Sequence, residues 1–499
     1  MQSFDRIKNF FGQYYLKMPR GAGTLFFIQI FSTLSFSVLY STLVLYATNG
    51  LKLSDSLATG ITASFIAFNY ALHLIGGFIG GRYLSYRSLF CLGMIAQVIG
   101  CFLISINNVN NFYWGLSIFL GGSGLNVTCV NCMLTQLFDS NDKRRETAFL
   151  WNYSGMNVGF FVGFGISGYL QLQGAYRELF ILSSLGNCIA VVITFLTWHS
   201  LKDIDTKLTK ITGAKKRLAY FHGLMMILTL IFSLRWLLEH NVFSSNLILL
   251  GGVCMGLVML YLAFLQKNEE RNKMFAYLIL ALTSVVFWTL YQLAPMGFTL
   301  FIERNVDRHF LNYIIAPQWV QNINTIVIIL GGPLLSYIFN ILRDRNINIT
   351  IPMQFSVALI CIGIGFGILP IGIYFANGEG LVHFNWIAAS FILQSLGELF
   401  ISPIGYAMVG QFAPKNLQGI MMGTWLMITG VSATLSGYFS NLALGHTQSI
   451  DPLITNPTFS HTFGLLGMSS IVTGILLLFF VPFVLQLTQE KNILSKVPA

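Results

Sequence analysis

The sequence predicts an all-α polytopic membrane protein with fourteen transmembrane helices arranged 6+2+6. Three observations lead there. Of 499 residues, 55% are hydrophobic and only 9% are Asp, Glu, Lys or Arg. A soluble domain carries roughly 25% charged residues, so this chain could not cover a soluble surface. Its charges are clumped between apolar runs that exceed the ~18 to 20 residues a helix needs to cross hydrocarbon. Finally, the basic residues sort cleanly by side once the runs are counted. A soluble enzyme is excluded, and so is an outer-membrane barrel, whose strands read as alternating segments of about ten residues.

The runs fall at approximately 23–48, 57–80, 88–106, 113–137, 147–170, 178–198, 218–236, 245–265, 274–296, 320–342, 351–375, 385–408, 419–445 and 464–487. The first follows a basic segment with Arg6, Lys8, Lys17 and Arg20. It is longer than a signal-peptide core and lacks a small-residue cleavage site, so it reads as a retained span. With the N-terminus in the cytoplasm, 23 of the 28 basic residues lie on inner segments, leaving Lys52, Arg177, Arg235, Arg304 and Arg308 outside. The positive-inside rule therefore expects both termini in the cytoplasm and supports an even number of spans. A net charge of +10 then reports topology and anionic lipid, not nucleic acid.

Spans one to six make an N-terminal bundle, residues 1–200. Residues 201–273 hold an inner basic linker with Lys202, Lys207, Lys210, Lys215, Lys216 and Arg217, then a hairpin of two spans without polar residues to converge on a cavity. The C-terminal bundle takes 274–499. Short inner loops follow span four, Asp139 to Arg145, and span twelve, Ala413 to Gly419. Two similar bundles joined by a linker is the architecture of parallel-repeat transporters.

Ionisable groups at membrane depth are costly and mark function. Of 18 acids, 17 lie in tails, loops or span edges; the exception is Glu398, mid-way along span twelve. A carboxylate there can carry a proton or face a substrate cation, and Pro403, five residues on, weakens the helical ladder beside it. No Lys or Arg lies deep in any span. His73 reads as a hydrogen-bonded packing residue. Tyr153 and Asn157 in span five, Gln292 in span nine, and Gln321 and Asn324 in span ten are polar groups in apolar helices, serving a site or bonding helices together. Trp288 and Trp425 lie inside spans, not at the interfaces where tryptophan anchors, and either line a pocket or pack on neighbours. Cys129 and Cys132 make a CxxC inside an apolar helix, without the second pair of a zinc site, and read as packing residues. Asn126-Val-Thr and Asn348-Ile-Thr match the glycosylation tripeptide but lie in a span and beside an inner loop, and are discounted.

Several stretches resemble the proton-dependent oligopeptide transporter family of the major facilitator superfamily. The most specific is Gln394-Ser-Leu-Gly-Glu-Leu-Phe-Ile-Ser-Pro-Ile-Gly405, followed by Phe412-Ala-Pro414 and Gly419-Ile-Met-Met-Gly-Thr-Trp425. Phe287-Trp-Thr-Leu-Tyr-Gln292, Gln321-Asn-Ile-Asn324 before Pro333, Arg144-Arg145 with Phe149, Tyr153 and Asn157-Val-Gly159, and Tyr70 before Gly76-Gly77 add to it. The resemblance implies a major facilitator fold and alternating-access, proton-coupled uptake of small peptides. It also implies that Glu398 faces a substrate amine, that Asn157 and Asn324 face the substrate backbone, and that Tyr70, Tyr153, Trp288 and Trp425 line side-chain pockets, with Gln292 beside them.

The chain departs from that pattern at the charges. The first-span acids and arginine of the family fall on Gln29, Ser32 and Thr33, the fourth-span lysine on Val127, the ninth-span acid on Gln292 and the loop aspartate on Gly81. Cations that bind a carboxylate and the acids that partner them vanish together, because either sign alone would be buried unpaired. A lone lysine restored at 127 is expected to harm folding for that reason. The resulting expectation is a secondary transporter, not an enzyme, needing no cofactor but the proton as coupling ion. It sits as a monomer in the lipid bilayer of a bacterial inner membrane and moves peptides or peptide-like solutes without an obligatory carboxylate. The alternatives are a carrier of a non-peptide siderophore, amine or drug, and a receptor or scaffold descended from a carrier; a membrane-embedded enzyme would need a nucleophile or paired acids that the spans lack.

Overall fold

The computed structural model describes residues 18–139, 142, 144–310, 312–345, 349–414, 417–445 and 449–488. Arg6, Lys8, Lys17, Lys143, Asn348 and Lys415, as well as both termini, lie outside the described residues. Fourteen long helices run in order: α1 Arg20–Leu45, α2 Asp55–Ile79, α3 Tyr86–Ser105, α4 Val109–Gln136, α5 Arg144–Leu172, α6 Tyr176–Leu196, α7 Gly213–Glu239, α8 Asn241–Leu265, α9 Asn268–Asn305, α10 Pro317–Asp344, α11 Ile351–Tyr374, α12 Phe384–Phe412, α13 Gln418–Leu444 and α14 Pro452–Thr488. Thirteen are long and apolar enough to cross a membrane; α5, which carries Asn152 and Asn157, is the one that is not.

Each expected span is a helix, and the ends differ where polar residues find partners. The expected start of the last span, residue 464, is twelve residues late, because Thr455 and Asn456 at the head of α14 hydrogen-bond the Asn305 side-chain amide at 2.7 and 3.0 Å. Tertiary bonds of that kind override a polar local sequence. Helix α9 likewise runs on to Asn305, but through a π-helical stretch, Ala294–Phe298, with Pro295 inside it and Met296 at a non-helical φ −122°, ψ −117°. Such bulges break the ladder at functional places.

Two compact units form: Met1–Tyr40 with Ala71–Glu239, and Ser41–Tyr70 with His240–Ala499, as far as these residues are described. In the first unit α3 packs along α4 and α6, and α7 lies on α4, where Phe232 meets Trp114 edge-on at 5.4 Å. In the second, α11 packs on α12 and α14, and α8 lies on α9 and α13. The unit boundary at Glu239 and His240 thus assigns α7 to one unit and α8 to the other. Also within the second unit, Arg304 at the end of α9 grips Asp55 at the start of α2, Nη2 to Oδ1 at 2.8 Å, and Thr59 bonds Asn441.

The basic linker is docked on the first unit. The carboxylate of Asp203 accepts the backbone N–H of Tyr86, the first residue of α3, at 3.1 Å. The Ile204 N–H donates to the Gln136 side chain at 2.9 Å, and the Leu208 N–H to the Gly81 carbonyl at 2.9 Å. Burial pushes the Asp203 carboxyl above the usual carboxylate range, partly offset by the Tyr86 N–H. Gly81 adopts φ +71°, which a side chain resists, so the family's loop aspartate is replaced by a residue that suits this turn.

Without a hydrophobic force between helices in lipid, close backbone approach holds the bundle. Helices α3 and α4 touch at Gly100 and Gly115: a Cβ on either would stand 2.7 Å from the other's carbonyl oxygen. Gly93 and Gly122 repeat the contact two turns away. Gly100→Val is expected to cost about 1–3 kcal/mol or more by overpacking, seen as a lowered Tm in detergent. Gly410→Val, with nothing within 4 Å, should leave Tm unchanged.

Candidate functional site

The break in α9 sets the second unit's polar cluster. Trp288, Tyr291 and Gln292 occupy the last turn before the π-helical stretch, where the Gln292 N–H still reaches the Trp288 carbonyl at 2.9 Å. Facing them, α12 carries Glu398, only 9% exposed. Its Oε2 accepts the Asn324 side-chain N–H of α10 at 2.7 Å, and the same amide donates to the Ser395 hydroxyl at 3.1 Å. Ser395 in turn donates to the Phe391 carbonyl of its own helix at 2.7 Å, which fixes the hydroxyl as an acceptor. The Tyr291 phenol also bonds the carboxylate, and the Ser402 hydroxyl approaches Oε1 at 3.5 Å. All these partners are neutral. Helix α12 continues through Pro403, whose missing N–H leaves the carbonyl of Leu399, beside Glu398, without its helical donor.

Tyr70 of α2 belongs to the same unit and hydrogen-bonds Gln292, with Tyr406 and Glu398 close enough to act on it electrostatically. Trp288 packs edge-on to Tyr291 at 5.5 Å and to Phe287 at 5.3 Å, and its indole N–H has no protein acceptor. Of the expected site residues, the structure therefore gathers Tyr70, Trp288, Gln292, Asn324 and Glu398. Trp425 is 3% exposed, packed over Gly405 and against Phe355, so it is a wall of the core and not an open pocket face. Tyr291, Ser395, Ser402 and Tyr406 complete the cluster. Sequence reading missed them; the only signal was that Tyr291, Ser395 and Ser402 lie within the quoted motifs and Tyr406 directly after one.

In the first unit, Tyr153 is 43% exposed on α5. Asn157 turns back to donate to the Tyr153 carbonyl at 3.0 Å. At the first-span positions where the family's charges stand, the unit holds an amide, Gln29, and hydroxyls, Ser32 and Thr33. The Gln29 side-chain N–H donates to the Thr33 hydroxyl at 3.0 Å, and the Asn152 N–H to Gln29 Oε1 at 3.3 Å. Sequence reading missed Asn152, an ordinary residue one turn before Met156. Val127, where the family's fourth-span lysine would fall, is 37% exposed within α4. All seven cysteines are free, and no cluster of metal-ligating side chains occurs among the described residues.

The profile of the POT family matches residues 87–456. The chain belongs to the POT family. Its POT relatives include dipeptide and tripeptide permease A of Cronobacter turicensis, 30% identical over 95% of each chain. The permease A of Salmonella typhimurium is 29% identical over 96% of this chain and 95% of its own. Among solved structures, a peptide transporter POT in complex with sulfate superposes with a TM-score of 0.82 at 22% identity, covering 94% of this chain and 96% of that one. A bacterial homologue of the human drug peptide transporters PepT1 and PepT2 gives 0.80 at 23%, covering 94% and 99%. The fold is thus the major facilitator type of POT transporters, and the chain is a multi-pass inner-membrane protein.

The two tryptophans should separate on truncation. Trp425→Ala is expected to cost about 3–5 kcal/mol of stability, read as a large fall in Tm. Trp288→Phe, which keeps one aromatic ring and removes an N–H without a protein acceptor, should lower Tm much less.

Proposed function

We propose that the chain is a secondary active transporter, working by alternating access, for small peptides or peptide-like solutes that carry an amine. Protons are its coupling ion, and Glu398 is the group that takes the coupling proton and faces the substrate amine. The chain is not an enzyme: its family and relatives are permeases. The relatives named dipeptide and tripeptide permease support peptides as the substrate class.

One observation carries the finer reading. Glu398 is enclosed by neutral donors, Asn324, Tyr291 and Ser402, with no cation among its partners. A carboxylate so held can neutralise by taking a proton, and the protonated carboxyl still accepts a hydrogen bond from the substrate amine through its carbonyl oxygen, so that proton and solute can cross together. In the first unit the neutral set of Gln29, Thr33 and Asn152 offers hydrogen bonds but no charge to a substrate carboxylate. This supports solutes whose carboxyl end is amidated, blocked or absent. Both termini belong in the cytoplasm by the sorting of basic residues, and the carrier acts as a monomer, since all proposed roles are met within one chain.

In proteoliposomes with an imposed pH gradient, C-amidated dipeptides should compete with labelled solute better than the free acids, whereas a preference for free acids would overturn the selectivity. Glu398→Gln should abolish proton-driven accumulation while leaving expression intact; retained pH-dependent uptake would remove its coupling role. Val127→Lys should lower expression, since a lone cation within a span has no acidic partner; a well-expressed, active variant would overturn the paired loss of charges.

A further inference from the structure

Helix α10 carries a line of amides above Glu398. Gln318, Gln321 and Asn324 recur every three residues, so they are spaced by about 4.5 Å along the axis, span about 9 Å, and stay within a face about 120° wide. Asn324 donates to Glu398 at 2.7 Å. The other two are buried in the second unit, yet neither Nε2 nor Oε1 of Gln318, nor Nε2 of Gln321, has a protein partner. Leaving a buried amide atom unmade costs about 1–3 kcal/mol. Three such atoms on one face of one helix, leading to the lone deep carboxylate, are therefore an expensive arrangement unless water completes them. Buried waters typically make about three hydrogen bonds to groups of this kind.

We propose that Gln318 and Gln321 hold a short file of ordered water that carries protons from the Pro317 end of α10 to Glu398. The sorting of basic residues puts that end on the outer side, where symported protons enter. The proposal rests on the reading of Glu398 as the proton acceptor. The last water gives a proton to the Glu398 carboxylate: one O–H bond forms on the carboxyl and one breaks on the water. That water regains a proton from the next one out, so the net change is one proton taken from the outer solution. The amides exchange no proton; they position water. Around the acceptor, the titratable side chains are the phenols of Tyr291 on α9, Tyr70 on α2 and Tyr406 on α12, and neither Asn324 nor the amides above it brings a charge. Gln318 and Gln321 are positioning residues in this account.

The test uses the proton itself as probe. Full-length protein is reconstituted in one orientation, and the infrared band of the protonated carboxyl that Glu398→Gln removes is followed after acidifying the Pro317 side. Gln318→Leu and Gln321→Leu should slow the appearance of that band at least tenfold without changing its final size. Gln318→Asn and Gln321→Asn, which keep the amide, should restore most of the rate. The Tm of each leucine variant serves as the check on folding. Wild-type rates in both leucine variants would overturn the water file while leaving Glu398 as acceptor. A wild-type spectrum without any Glu398-dependent band would overturn that reading, and the file with it.

Discussion

A carboxylate surrounded by hydrocarbon-facing helices persists only if protein groups replace its water, and the second unit is organised around meeting that demand at Glu398. The helix break in α9 brings Tyr291 to the carboxylate, α10 brings Asn324, and α12 itself supplies Ser402 and the Ser395 that orients Asn324. Neutral donors hold a carboxyl in either protonation state, whereas a fixed cation would hold it ionised. The absence of deep cations, legible already in the sequence, is thus the condition that the proposed binding of proton and amine at Glu398 requires.

The same constraint explains the first unit. Where relatives with charged sites would need acids to partner their cations, this chain places Gln29, Thr33 and Asn152, which hydrogen-bond one another and leave Asn152 Oδ1 without a protein partner. Such a set needs no counter-charge when empty. Outside the core the charges are paired at the surface, as Asp55 is with Arg304, or used as helix-end acceptors, as Asp203 is at Tyr86. Charge is kept where water or a helix dipole can stabilise it.

Hydropathy made the fourteen helices legible, because a span must be apolar over a length that hydrocarbon thickness sets. Their ends were less so. Thr455 and Asn456 read as loop, yet are helical because Asn305 reaches them, and the inner basic linker shows only its charge in the sequence, yet Tyr86, Gln136 and Gly81 bind it. Pair bonds between distant segments leave no local pattern. In the site, Glu398 and Asn324 stood out as polar residues in apolar surroundings. Tyr291, Ser395 and Asn152 did not, since phenols, hydroxyls and amides are common in membrane helices and only geometry distinguishes a ligand from interhelical bonding. Exposure was equally hidden: nothing in the sequence separates the open Val127 from the enclosed Trp425.

The central claim is that a single acid couples proton and solute. It is tested most directly by the proton-to-solute stoichiometry, obtained in proteoliposomes from the solute gradient at which net flux reverses under a series of imposed pH gradients. The account predicts one proton per solute for a neutral substrate, so that reversal shifts tenfold in solute ratio per pH unit. A ratio of two or more, or reversal independent of the pH gradient, would contradict it.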